Sequence, residues 1–235
     1  MKRFWDRAEV AEVVGGFSIT LDGRPMRLPG AGSLTLPNRA LADAVAEEWG
    51  AAGGAKGGEM SLEDVPLTRL AATAVDRIAP DPAPTVREIS RYGESDLLCY
   101  RATDRVLAAQ QAAEWDPLLN WCDARHGARL RSTTGIMHLA QDPAALQALH
   151  RVVGGFVPLE LAALGIVVPA TGSLVLGLAL ADGQIDAVAA HRLATLDETH
   201  QESLWGEDAE ALARRERMAA EVALAARLLS LAHAA

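Results

Sequence analysis

FSITLDGRPMRL, residues 17–28, decides how the chain begins. Phe17, Ile19 and Leu21 alternate with Ser18 and Thr20, the period of a strand with one face buried. Asp22-Gly23 then supplies a two-residue hairpin turn, because glycine accepts the positive φ that so tight a turn needs. Met26 and Leu28 continue on the returning strand as far as Pro29. Pro25 cannot donate to a ladder, which makes that strand irregular or places it at an edge. Outward from the hairpin, Ala8 to Val14 reads as a preceding strand ended by Gly15-Gly16, and Leu34 to Leu36 as a short further one.

After residue 37 the apolar period becomes helical. Asn38 is the N-cap of a helix through Trp49, with Leu41, Val45 and Trp49 spaced i, i+4 and i+8. GAAGGAKGG, residues 50–58, has no apolar periodicity and reads as a flexible linker. It sets a boundary between a β-rich domain with one helix, residues 1–60, and a helical domain, residues 61–235. Pro66 opens the next helix, whose apolar face is Leu67, Leu70, Ala71, Ala74, Val75 and Ile78. Val106 to Trp115 is helical, and Asp116-Pro117 reads as the start of a new helix toward His126. Residues 129–136 are extended, and Asp142-Pro143 caps a helix to Val153. Pro158 to Leu164 is a short helix ended by Gly165, and Thr171 or Ser173 caps a buried one over Leu174 to Leu180. The last helix runs from about Glu207 to Ala232. Strands first and helices after make an α+β fold: a small N-terminal β-rich domain followed by a larger all-helical C-terminal domain.

The most informative stretch for function is QIDAVAAHRLATLDETHQESLWG, residues 184–206. It reads as one amphipathic helix with Ile185, Ala189, Leu193 and Leu196 on the core stripe. Glu198, Gln201, Glu202 and Trp205 follow i, i+3, i+4 and i+7 spacing and gather on the opposite face. Two readings stay open. One is a solvated face with a tryptophan folded back, since exposed charge is the default for such residues. The other is a partner surface, since an aromatic beside paired polar groups is what interface hot spots look like.

Composition narrows the function classes. The chain has 235 residues, half of them hydrophobic, enough to bury a substantial core. A net charge of −9 and a pI of about 5.2 argue against a nucleic-acid ligand. The apolar run from Ile166 to Ala181 is interrupted by Pro169, Thr171, Gly172, Ser173 and Gly177 and is too short to insert in a bilayer. MKRFWDRAEV lacks the apolar core of a signal peptide. Cys99 and Cys122 make no metal or redox spacing and read as small core residues. The six histidines form no ligand pair, and no GxSxG, GxGxxG or Walker sequence is present, so no catalytic residue, metal or cofactor is expected. Asp197 and Glu198 are adjacent, about 100° apart on a helix, and cannot face one substrate as a carboxylate pair. The alternative is an enzyme with a pocket between the two domains, using Asp96, Asp116 or Glu198 as acid or base.

Several segments carry a resemblance. RFW at 3–5, LDGRPMRLP at 21–29, EEW at 47–49, VPLTRLAATAVDR at 65–77, SDLLCYR at 95–101, WDPLLNW at 115–121 and LATLDETHQESLWGED at 193–208 occur in order along nearly the whole chain. Together they resemble the ATP synthase assembly chaperones that act on the F(1) alpha subunit, the mitochondrial assembly factor 2 type, in a bacterial form. The resemblance implies a non-enzymatic chaperone that binds the unassembled alpha subunit of the catalytic head, shields its intersubunit surface and promotes assembly. It implies a β-containing domain followed by a helical one. The family's DExxQxxxWG motif falls on Asp197, Glu198, Gln201, Trp205 and Gly206. The implied partner-binding residues are therefore Glu198 first, then Asp197, with Gln201, Glu202 and Trp205 beside them. Two departures are the extra glycine after EEW and Ser95 where threonine is expected. The RFW motif begins at Arg3, which leaves no room for a targeting extension and implies a cytoplasmic bacterial protein, monomeric when free.

Overall fold

The computed structural model describes residues 1–27 and 34–234. The chain divides into two compact units. The first gathers residues 1–82, 157–163 and the chain end from 227. The second gathers residues 83–156 and 164–226.

In the first unit, β1 (Ala8–Val13), β2 (Gly16–Leu21) and β3 (Arg24–Pro25) form an antiparallel sheet in that order. Ala8 pairs with Leu21 and Val13 with Gly16. Ile19 and Leu21 are buried, as their alternation predicts. Asp22 and Gly23 take φ of 48° and 76°, the twin positive values of a type I′ turn. The Asp22 carboxylate accepts the backbone N–H groups of Asp6 and Arg7 (3.0 and 2.9 Å). The hydrogen bond from Arg7 holds that carboxyl below the usual aspartate range. β3 ends at Pro25; the expected continuation to Leu28 and Pro29 lies outside the described residues. The expected strand at Leu34–Leu36 is a single bridge, in which Leu36 and Phe17 exchange both backbone hydrogen bonds (2.9 and 2.7 Å).

Helix α1 (Arg39–Ala51) starts where Asn38 Oδ1 accepts the Leu41 N–H at 2.9 Å, and it buries Leu41, Val45 and Trp49. The glycine-rich segment after it is not a loose linker. Arg3 and residues 57–58 exchange backbone hydrogen bonds (2.7 and 2.9 Å). The Arg3 guanidinium donates to the carbonyls of Gly50, Ala52 and Gly54 (2.7, 3.2 and 2.6 Å) and of Trp5 and Asp6 (both 3.0 Å). A cation there also answers the negative end of the α1 dipole. A local reading sees only glycine, because the group that orders the segment lies almost fifty residues upstream.

The RFW, EEW and VPLTR segments meet in the same unit. The Trp5 ring lies 5.1 Å from that of Trp49, and its Nε1 donates to the Trp49 carbonyl at 3.0 Å. Trp49 Nε1 donates to Thr68 Oγ1 at 2.9 Å. The Glu48 carboxylate accepts the N–H groups of Leu67 and Thr68 (2.6 and 3.0 Å) and the Thr68 hydroxyl (3.0 Å). It thereby caps α2 (Pro66–Thr73), whose own N-cap residue, Val65, has no acceptor side chain.

In the second unit lie α3 (Ala83–Ser90), α4 (Arg105–His126), α5 (Pro143–Gly154), α7 (Leu174–Ala181), α8 (Ala187–Ala194) and α9 (Leu196–Trp205). It also holds most of α6 (Pro158–Thr171) and of α10 (Ala209–His233). A two-residue parallel pair, β4 (Tyr100–Arg101) with β5 (Thr133–Thr134), interrupts the helices. Two expected helix boundaries do not exist. α4 runs through Pro117, because Leu107, Gln111, Trp115, Leu118 and Cys122 form one buried stripe on both sides of it. α6 runs through Gly165 and Pro169, because Leu164, Val167 and Val168 carry its buried face across the first of them. In both cases tertiary burial outweighs the local cost of the breaker residue, about 1 kcal/mol for glycine and about 3 for proline.

Asp96 is wholly buried. Its carboxylate accepts the Leu98 N–H (3.0 Å), the Ser173 hydroxyl (2.7 Å) and the Val175 N–H (2.9 Å), so it ties the turn at Leu97–Cys99 to the start of α7. Cys99 and Cys122 are buried free thiols, both pushed up to about 12 by desolvation, which makes them poor nucleophiles. No helix among the described residues is long and apolar enough to cross a membrane.

Gly177 shows how tightly α7 packs on α6. A Cβ there would stand 2.5 Å from Val168 Cγ2 and 3.4 Å from Leu164 Cδ2. Gly177→Ala is therefore expected to destabilise the protein by about 1–3 kcal/mol, the range for overpacking. An exposed helix would gain about 1 kcal/mol from the same change. The sign of the shift in the urea midpoint separates the two outcomes.

Candidate functional site

The stretch from residue 184 to 206 is two helices, not one. α8 is capped by Asp186, which accepts the Ala189 N–H at 2.7 Å. It ends at Thr195, with φ −105° and ψ 14°, and α9 begins at Leu196. The break has an identifiable partner. Trp115 Nε1 donates to the Leu193 carbonyl at 3.1 Å, the acceptor that an unbroken helix would offer to the Asp197 N–H. Thr195 closes the α8 end by donating its hydroxyl to the His191 carbonyl at 2.9 Å. Ala190, Leu193 and Leu196 are buried, whereas Ile185 and Ala189 of the predicted stripe are only partly covered.

The break redistributes the five predicted contact residues. Asp197 Oδ1 accepts from Gln111 Nε2 at 2.7 Å, and Gln111 Oε1 accepts the Ala102 N–H at 2.7 Å. Glu198 lies 3.2 Å from Arg214, and Glu202 lies 2.7 Å from Arg215. The second pair is well shielded, and Arg215 is itself buried. His191 Nε2 donates to the Arg215 carbonyl at 3.1 Å beside it. Glu198 and Glu202 therefore face α10 and hold α9 against it. Gln201 and Trp205 face water. Trp205 is 86% exposed, and Leu204 beside it is 62% exposed. The expected single outward patch is thus split into an anchoring side and a free side. The spacing could not show this, because the acids' partners come from α10, and a helical wheel carries no information about the neighbouring helix.

Sequence reasoning missed Gln111, Arg214 and Arg215. Gln111 sits at a core position of the α4 stripe, and a fully buried amide in such a stripe implies specific polar partners. Glu114 and Arg192 complete the polar surround with two hydrogen bonds of 2.7 and 2.9 Å. Arg192 holds the Glu114 carboxyl below the usual range.

The residues named for acid–base chemistry are occupied elsewhere. Asp96 serves backbone and hydroxyl donors, Asp116 pairs with Arg101 at 2.6 Å, and Glu198 pairs with Arg214. A cleft of about 500 Å³ is lined by Thr85, Glu88, Arg91, Tyr92 and Glu94 among others, and none of those three acids forms its wall. Among the described residues no group of three His, Cys, Asp or Glu side chains could hold a metal ion.

Known proteins share this fold. Atp12 from Paracoccus denitrificans is 39% identical over 99% of this chain and 98% of its own, with a TM-score of 0.93. A point mutant of the same protein superposes with a TM-score of 0.93 at 38% identity. The Atu1473 protein of Agrobacterium tumefaciens is 40% identical over 97% of this chain and 85% of its own, with a TM-score of 0.90. Residues 2–123 match the family described as ATP12 chaperone protein. The chain, matched from its N-terminal sheet into α4, belongs to the ATP12 chaperone family.

Proposed function

We propose that this protein is an ATP synthase assembly chaperone that binds the unassembled alpha subunit of the catalytic F(1) head. It shields the surface by which that subunit will later contact its neighbours, and it acts without catalysis, as a monomer in the bacterial cytoplasm. In this reading the β-rich N-terminal domain ends near residue 60 in sequence, although the compact unit around it also takes in residues 61–82, 157–163 and the chain end. The observation that carries the reading is the exposed Leu204-Trp205 pair at the end of α9. Tryptophan is costly to leave in water, and here it stands on a helix fixed by two ion pairs and the Gln111–Asp197 hydrogen bond. A rigid aromatic anchor with a polar neighbour, Gln201, is the composition of an interface hot spot. In this assignment Trp205 and Gln201 touch the partner, while Asp197, Glu198 and Glu202 hold the helix that presents them.

The test is co-expression with the alpha and beta subunits, followed by affinity capture. Alpha should be enriched over beta. Trp205→Ala should weaken capture about tenfold or more, the cost of losing one hot-spot residue, with an unchanged melting midpoint. Equal recovery of alpha and beta would count against the proposed client. Undiminished binding by Trp205→Ala would remove α9 from the contact surface.

A further inference from the structure

The loop that leaves β5 presents apolar side chains to water on a closed frame. Gln141, itself buried, accepts the Arg131 N–H at 2.8 Å and donates to the Arg131 carbonyl at 2.9 Å. Gly135 N–H donates to the Arg101 carbonyl at 2.8 Å, which extends the β4–β5 pairing by one residue. Tyr100 Oη lies 3.3 Å from His138 Nδ1. Between these contacts stand Ile136, 97% exposed, and Met137, 77% exposed. Side chains of this kind favour burial, and the frame leaves both turned outward.

The same frame is joined to α9. Arg101 lies over the Trp115 ring at 5.3 Å, and Trp115 holds the Leu193 carbonyl at the α8–α9 break. The next residue, Ala102, donates to Gln111, which in turn donates to Asp197. One stretch of α4, from Gln111 to Trp115, therefore positions both the loop and the helix.

We infer that residues 135–138 form a second contact element for the client held by α9, with Ile136 and Met137 entering an apolar recess on that protein subunit. The inference rests on the chaperone reading. A subunit awaiting assembly exposes an apolar surface of the kind that needs covering, and two projecting apolar side chains complement it. A net charge of −9 disfavours the other apolar occupant, an anionic membrane surface.

The experiment compares wild type, Trp205→Ala and the double variant Ile136→Asp/Met137→Asp for binding to purified alpha subunit. Sedimentation with phosphatidylserine-containing vesicles runs beside it. The double variant should bind alpha at least tenfold more weakly, with the wild-type melting midpoint. If the aspartates disturb the loop, Ile136→Ser/Met137→Ser should show the same loss at unchanged stability. Wild-type affinity in both double variants, with Trp205→Ala impaired, would overturn the loop assignment and leave the chaperone reading standing. Vesicle binding that the loop variants abolish, with alpha binding intact, would overturn it in favour of a membrane contact. No binding of alpha by wild type would sink both readings together.

Discussion

Replacing Asp96 with alanine is expected to cost about 3–5 kcal/mol, because three buried neutral donors lose their acceptor at about 1–3 kcal/mol each, partly offset by relief of the buried charge. Single domains are stable by only about 5–15 kcal/mol, so the variant should be poorly folded at growth temperature. The substitution leaves the Leu98 and Val175 N–H groups and the Ser173 hydroxyl without their acceptor in a site closed to water. The same burial pushes the Asp96 carboxyl up from 3.8 to about 6, against the opposing pull of its donors. Between those values the folded state binds the proton more readily than the unfolded chain. The contribution of this group to stability is therefore greatest below pH 4 and falls as pH rises through 6, by about 3 kcal/mol in all. Asp96→Asn cannot ionise, so the difference between wild-type and Asn unfolding free energies should shrink over that window and level off above it. A difference that stays flat from pH 4 to pH 8 would show that burial does not govern this carboxyl.

Arg3→Met should strongly destabilise the first unit, by about 2–4 kcal/mol. Five carbonyls lose their donor, and each acceptor left buried costs about 1–3 kcal/mol, less where water can reach it. Methionine keeps most of the packing volume, so the loss reports hydrogen bonding and charge. Arg3→Lys should recover part of it, because an ammonium offers three donors where the guanidinium offers five in a fixed fork. A local readout accompanies the global one. Residues 50–58 are ordered by Arg3, so limited proteolysis should cut there in Arg3→Met and spare the wild type. Wild-type stability with an intact 50–58 segment would contradict the role assigned to Arg3.

Much of the architecture was legible residue by residue. The period-2 run at Phe17–Leu21, the Asp22-Gly23 turn, the Asn38, Asp142 and Ser173 caps and the apolar faces of α1 and α2 all follow from rules that act within one or two turns. Pattern failed where a distant group outvoted it. Pro117 and Gly165 look like stops, yet continuous buried faces carry α4 and α6 through them. The run of glycines after α1 looks loose, yet Arg3 orders it.

Helix α9 divides along the same line. The sequence by itself placed Asp197, Glu198, Gln201, Glu202 and Trp205 on one short helical stretch, and it carried the family resemblance, because spacing and residue type are local properties. Only the tertiary structure decided which of them face water. Trp115 takes the Leu193 carbonyl and breaks the helix, Arg214 and Arg215 draw the two glutamates to α10, and Gln111 holds Asp197. Those partners lie between 13 and 86 residues away along the chain, and hydrogen bonds and ion pairs at such separations exist only once the chain has folded.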